Sequence, residues 1–304
     1  KVLFLLDGVP YHQPSHSLIP MEGVPWESIS HIEVIRGPGA VFHGTQASGG
    51  VFNVVTRKDA GKRSVSLKLG SNGLKEGSAF YHRPLSDKSA LYLAAEQRRE
   101  DGHTQNYQQM FPGIGLVRDQ VHRQLERESA LIRYTHEDSV LQFQAFRDTT
   151  IGINDAFTDE QTLQPFITKS KGELIHLENS WNTSRSKTTV FADYNHYTFD
   201  LQINNLFAPG VHALAAKDKS GDTDYRARVG GNFTYIIEPS LDLAMGIEKE
   251  IRSVAPYRLY FLSDKNSPLI TLFPKGKIDE LTALVSKEKG IREFLKDYMS
   301  LLAA

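Results

Sequence analysis

The chain has 304 residues, with 35 Lys and Arg against 36 Asp and Glu, so it has no global basic field to hold a polyanion such as nucleic acid. It contains no cysteine, which excludes a disulfide framework, a thiolate nucleophile and any Cys-ligated metal. Its longest apolar runs, such as Val2 to Leu6, fall far short of the roughly 20 residues that a membrane-spanning helix needs.

The opening "KVLFLLDGVP" reads as a strand entering a turn. It lacks the charged, apolar and cleavage regions of a signal peptide and starts at Lys1, so the chain is expected to be an internal segment of a longer protein. The stretch "HIEVIRGPGAVFHGTQASGGVFNVVTRK", His31 to Lys58, follows. Ile32 and Val34, and later Val51, Asn53 and Val55, belong to strands, and Gly37, Pro38 and Gly39 reverse the chain between them. Gly44, Gly49 and Gly50 mark places where the backbone bends or closely approaches another backbone. Glu33 and Arg36 point to different faces of a regular strand, each needing its own partner or water. Neither phosphate-loop pattern, G-x-x-x-x-G-K-[ST] or G-x-G-x-x-G, occurs here.

From about residue 63 onward the dominant signal is period-two alternation. In "DYRARVGGNFTYI", Tyr225, Ala227, Val229, Phe233 and Tyr235 share one face while Arg226, Arg228, Asn232 and Thr234 share the other. The run "LDLAMGIEKE" repeats the arrangement with Leu241, Leu243, Met245 and Ile247. Reading the same signal through the chain gives about nine strands, most longer than the usual five or six residues. Short turns such as "PLSDK", "HED", "TSRSK" and "EPS" alternate with long polar stretches at about 101 to 127, 149 to 170 and 204 to 222. Long loops at one end and short turns at the other, with long strands, favour a transmembrane β-barrel over a soluble β-sandwich or β-helix, which also alternates. After Pro274 the period changes: Ile278, Leu281, Leu284 and Val285, then Ile291, Phe294, Leu295, Tyr298 and Leu302, predict two short amphipathic helices.

Catalytic chemistry has no support: there is no Ser-His-Asp order, no motif of paired carboxylates and no H-E-x-x-H. Histidine is the one metal-binding type present in number. "YHQPSH" would put His12 and His16 at an external tip, where one could be an axial ligand if the cargo were haem. Aromatic residues in the long loops, among them Tyr107 and Phe157, are placed to stack on a chelate.

"LLDGVP" at Leu5 to Pro10, "IEVIRGPGAVFHG" at Ile32 to Gly44 and "ASGGVFNVVTRK" at Ala47 to Lys58 resemble the second half of the plug domain of TonB-dependent outer-membrane receptors. The resemblance implies an all-β fold. Part of a plug (1–62) would be followed by the first strands of an antiparallel transmembrane barrel (63–252) and by a helical external-loop segment or tail (253–304). It implies a location in the outer membrane of a Gram-negative bacterium and active uptake of a scarce iron complex, foremost a ferric siderophore. A haem or cobalamin receptor of the same family, or a passive barrel, is the alternative. Partners would be the TonB–ExbB–ExbD complex, the metal-chelate ligand and outer-membrane lipid. No resident cofactor is expected. In the resemblance, Glu33 and Arg36 latch the plug to the wall, and Gly37, Pro38, Gly39, Gly44, Gly49 and Gly50 form its turns. Ligand contacts fall to Tyr11, His12, His16, Phe42, His43, Gln46, Tyr107 and Phe157. Arg118 and Arg123, with Arg98, Arg99 and Arg127 beside the first long loop, would favour an anionic chelate.

Overall fold

The computed structural model describes residues 2–12, 20–36, 49–57, 61–111, 115–154, 164–203, 211–217, 224–238, 241–253 and 257–263. Strands β1 (Leu3–Leu6) and β2 (Val9–Pro10) are joined by Asp7 and Gly8, both left-handed, at φ 51° and 84°. An Asp-Gly pair is what a two-residue hairpin turn of this twist demands. Short 3-10 turns at Met21–Gly23 and Trp26–Ser28 lead into β3 (Ile29–Arg36), and β4 (Gly50–Thr56) completes a sheet of order β2-β1-β4-β3. β1 runs parallel to β4 and is buried on both faces, which accounts for its unbroken apolar sequence LFLL. Gly50 starts β4 at φ 129°, and a Cβ there would lie 2.7 Å from the Ile35 carbonyl oxygen, so the position needs glycine.

The second sheet forms a wall. Its strands are β5 (Arg63–Leu69), β6 (Lys75–Ser86), β7 (Ser89–Glu100), β10 (Gln124–His136), β11 (Ser139–Asn154), β12 (Gln164–Asn182), β13 (Ser186–Ile203), β15 (Asp224–Glu238) and β16 (Leu241–Ser253). They pair antiparallel in chain order, so each long strand lies beside the one before it. A separate hairpin, β8 (Thr104–Phe111) with β9 (Gly115–His122), stands between β7 and β10. β14 (Val211–Lys217) pairs with the end of β13 and with β17 (Tyr257–Ser263). The alternation gives the wall two unlike faces. Leu131, Arg133, Gln142, Gln144, Leu174 and His176 are buried on one, and Ile132, Tyr134, Leu141, Phe143, Ile175 and Leu177 are exposed on the other. Leu241, Leu243, Met245 and Tyr235 share that exposed apolar face, as the alternation predicts.

The first sheet packs on the wall's inner face. Phe4, Leu6, Val9, Tyr11, Val24 and Val54 meet Phe80, Tyr92, Ala94, Leu131 and Leu174 in one buried cluster. On the opposite side of β1, Leu3 and Leu5 close on Val51. Each side chain buried this completely is worth roughly 1.5–3 kcal/mol, so the cluster is a main adhesive between the two sheets.

Three expectations change. The stretch at about 101 to 127 is largely a hairpin rather than irregular loop; its mostly polar residues hid the alternation that Tyr107 and Val121, both buried, carry. The stretch at 149 to 170 shortens because β11 and β12 run on to Asn154 and from Gln164, and β14 occupies part of 204 to 222. Within 253–304, read as helical or unassigned, residues 257–263 form β17; the helices expected from 278 onward lie outside the described residues.

Candidate functional site

The site lies where the first sheet meets the wall, and the wall's strand register organises it. His82, Tyr92, Arg133, Gln142, His176, Asp193, Arg228 and Glu250 are directly opposite one another on successive strands, forming one cross-strand row on the inner face. Cross-strand neighbours on one face lie within interaction distance. The row is accordingly bonded: Arg228 binds Asp193 (2.6 Å) and Glu248 (2.9 Å), and His176 Nδ1 lies 4.0 Å from Asp193. The adjoining row, Phe80, Ala94, Leu131, Gln144, Leu174, Asn195, Arg226 and Arg252, is apolar from Phe80 to Leu174 except at Gln144, and polar beyond.

Residues of the first sheet plug into these rows. Asp7 sits at the tip of the β1–β2 hairpin. Its carboxylate accepts from the Thr56 amide (2.9 Å), from the Thr56 hydroxyl (3.0 Å) and from the Arg133 guanidinium. Arg133 also donates to Gln142 (2.9 Å) and lies 5.2 Å from the centre of the Tyr92 ring. Gln144 donates to the Tyr11 hydroxyl (2.9 Å) and to the Gly23 carbonyl. A Cβ at Gly23 would lie 2.1 Å from the Tyr11 oxygen and 2.6 Å from the Phe146 ring, so only glycine permits this approach. Arg226, fully buried, donates to the Pro10 carbonyl and places Nη1 3.0 Å from His12 Nε2. Asn195 donates to the His12 carbonyl (3.3 Å), and the Trp26 amide donates to Glu96 (2.9 Å).

Two electrostatic consequences follow in the segments around the first sheet. Burial, with Arg226 and then Arg252 and Arg228 nearby, lowers the His12 pKa from 6.5 to about 3, so the imidazole is neutral and can accept from Arg226. Burial chiefly raises the Glu22 pKa, with Asp148 adding to it.

The structure redistributes the candidate residues. Tyr11 and His12, expected at an external tip, are wedged between sheet and wall, at 2% and 5% exposure. The apolar cluster and the Arg226 contact hold them there. Glu33 binds Asn53 within the first sheet (2.8 Å) and has His31 at 3.5 Å, while Arg36 is exposed at the end of β3 opposite Gly50. Among the described residues, hydrogen bonds to the wall are made by Asp7, Pro10, Tyr11, His12, Gly23, Trp26 and Ser28 with their partners. Gly49 lies in the turn before β4. Gly37, Pro38, Gly39, Gly44, His16, Phe42, His43, Gln46 and Phe157 lie outside the described residues.

On the hairpin, Tyr107 is buried and donates to Asp119 (3.1 Å), whereas Arg118 and Arg123 are exposed. Arg98, Arg99 and Arg127 are engaged by Glu76, Asp101 and Asp148. Among the described residues, no group of three His, Asp or Glu could hold a metal ion. Sequence reading missed Arg133, Gln144 and Arg226. Their one signal is polar chemistry in mid-strand on the inward parity, as in "ALIRYTH".

Residues 1–51 match the TonB-dependent Receptor Plug Domain family. Vitamin B12 transporter BtuB of Vibrio vulnificus is 34% identical over 104 residues, covering 34% of this chain and 17% of that protein. The iron-regulated outer membrane virulence protein of Vibrio cholerae is 38% identical over 87 residues, 25% of this chain and 13% of that one. This chain therefore spans a small part of the curated relatives it matches. Among solved structures, the closed form of the ferric-catecholate import receptor Fiu from E. coli K12 superposes with a TM-score of 0.52 at 11% identity, over 81% of this chain and 38% of that chain. The copper transporter OprC gives 0.52 at 16% identity, over 82% and 37%. At such identities the superpositions show a common fold.

Proposed function

We propose that this chain, a segment of a TonB-dependent outer-membrane receptor, serves the active uptake of a ferric siderophore. The observation that carries the reading is a folded sheet seated, through an apolar cluster and polar contacts around it, on the inner face of a wall whose outer face is apolar. A passive pore has no use for a folded domain in its lumen. In this reading residues 1–62 belong to the plug, 63–252 to the barrel, and 253–304 to an external segment. Lipid covers the outward face, and the TonB–ExbB–ExbD complex supplies the work that moves the plug. Exposed Arg118 on the β8–β9 hairpin, and exposed Arg123 just after it, offer guanidinium groups to the oxygens of an anionic chelate. The iron-regulated relative supports iron as the cargo. The His12 ring is enclosed against Arg226, which removes it as an axial ligand for haem; His16 lies outside the described residues.

Cobalamin is the second reading, favoured by the relative named as a vitamin B12 transporter. The test is uptake by the complete receptor, in cells with and without the energy-coupling complex, of radiolabelled iron on catecholate and hydroxamate carriers, of haem and of cyanocobalamin. Energy-dependent accumulation of a ferric siderophore is expected. Accumulation of cobalamin or haem with no siderophore uptake overturns the choice of cargo.

A further inference from the structure

The outward face of the wall changes chemistry along β11 and β12. Rising from the short-turn end, β11 presents Leu141, Phe143 and Ala145 and then Arg147; β12 presents Leu177 and Ile175 and then Glu173, Lys171 and Lys169. Arg147 and Lys171 are directly opposite each other in the strand register, and both are exposed, as is Lys169. Like charges in directly opposed positions destabilise a sheet.

The neighbouring carboxylates do not relieve the repulsion. Glu128, opposite Arg147 on β10, accepts from Gln97 (3.3 Å), and Glu173 has His196 Nδ1 at 4.0 Å. Asp200 is opposite Lys169 without an ion pair. Among the described residues no hydrogen bond or ion pair engages the side chains of Arg147, Lys169 or Lys171, whereas the outward Arg99 binds Asp101 (3.1 Å). A phosphate between Arg147 and Lys171 would turn their repulsion into charge-assisted contacts, with the guanidinium open to a bidentate one. The apolar band begins immediately below, at Phe143 and Ile175, and the small Ala145 leaves room beneath the Arg147 head group. Cations bordering an apolar surface match a phosphate that carries acyl chains.

We propose that Arg147 and Lys171, with Lys169 beside them, bind the phosphate of a glycolipid whose acyl chains lie on Phe143 and Ile175. The long-loop end faces the exterior in a barrel of this kind, and the outward leaflet of an outer membrane is built of phosphorylated glycolipid. The site rests on the barrel and its orientation in the uptake reading, and does not depend on the cargo.

The test uses the complete receptor. Flotation with phosphatidylcholine vesicles reads the barrel by itself, and heat-modifiable gel mobility selects variants that fold. Native mass spectrometry from detergent then measures how tightly lipid A, dephosphorylated lipid A and phosphatidylglycerol are retained. In Arg147→Gln/Lys171→Gln, retention of lipid A is expected to fall at least about tenfold, the scale of two basic side chains against an anionic lipid surface. Arg185→Gln/Lys187→Gln, which removes two exposed cations at the short-turn end, should leave it within about twofold of the parent. The parent should retain dephosphorylated lipid A and phosphatidylglycerol no better than the first variant retains lipid A. Undiminished retention in that variant, an equal loss in both variants, or equal retention of either control lipid by the parent overturns the site. Failure to float overturns the barrel reading and the site together, whereas a wrong cargo shows only in the accumulation assay and leaves this result standing.

Discussion

The two faces of the wall solve opposite problems with the same strands. Inward, neighbouring positions carry individually partnered groups: Arg133 meets Asp7, Gln144 meets Tyr11 and Gly23, Arg226 meets Pro10 and His12. Outward, Ile132, Phe143, Ile175 and Leu177 are exposed and share only their apolar character. The inner face is therefore specified residue by residue and the outer face by class. A buried polar group must find a particular partner, whereas a lipid-facing group need only avoid charge.

The sharpest break in that comparison is Arg133→Met. It leaves the Asp7 carboxylate buried without its cation, and removing one partner of such a pair costs about 3–5 kcal/mol. Urea unfolding of the complete receptor in detergent or bilayer should show the loss, with Asp7→Asn in the same background recovering much of it.

Leu177 tests the outer face. Leu177→Arg should cost about 2–4 kcal/mol if that side chain lies near the bilayer midplane, while Leu177→Met, which keeps class and volume, should cost less than about 1.5 kcal/mol. Equal losses from both would mean that the outer face is packed as specifically as the inner.

Gln144→Leu also keeps volume, but on the inner face, and leaves the Tyr11 hydroxyl and the Gly23 carbonyl without their donor. About 1–3 kcal/mol is expected for unpaired buried groups, read by the same unfolding transition.

The last effect depends on pH and is read as a slope rather than as a loss at fixed pH. The His12 pKa is lowered on folding, so between about 3 and 6.5 the unfolded chain binds more protons than the folded one. Stability contributed by the neutral ring is fully present above pH 6.5 and is lost as pH falls through that window, at up to about 1.4 kcal/mol per pH unit. His12→Gln should flatten that dependence below pH 6.5. A slope unchanged by the substitution would assign the acid loss to groups other than His12; Glu22, whose raised pKa acts in the opposite direction, is not among them.

Much of the wall was legible because its chemistry alternates at the period of a strand. The nine long strands, their short turns and the outward parity of Leu241, Leu243 and Met245 all follow from local pattern. The β8–β9 hairpin escaped because "TQNYQQMF" is polar on both parities apart from Tyr107 and the residues at its end. His12 was misplaced for a different reason. A histidine beside prolines in an apparent loop gives no sign of the arginine that meets it from the wall, 214 positions away.

By itself the sequence determined the nine long strands of the wall, which face of each is apolar, that the opening strand enters a turn, and the resemblance to a plug followed by a barrel. Those properties depend on neighbours within a few residues, through side-chain period and backbone conformation. Only the tertiary structure decided which inward polar residue holds which plug residue. Asp7 and Arg133 are 126 positions apart, and their meeting depends on the register of every strand from β6 to β10 and on the apolar cluster that seats β1 against them. Register is a cooperative property of the whole sheet: a slip of one residue would turn Arg133 to the outer face and leave the Asp7 carboxylate buried alone.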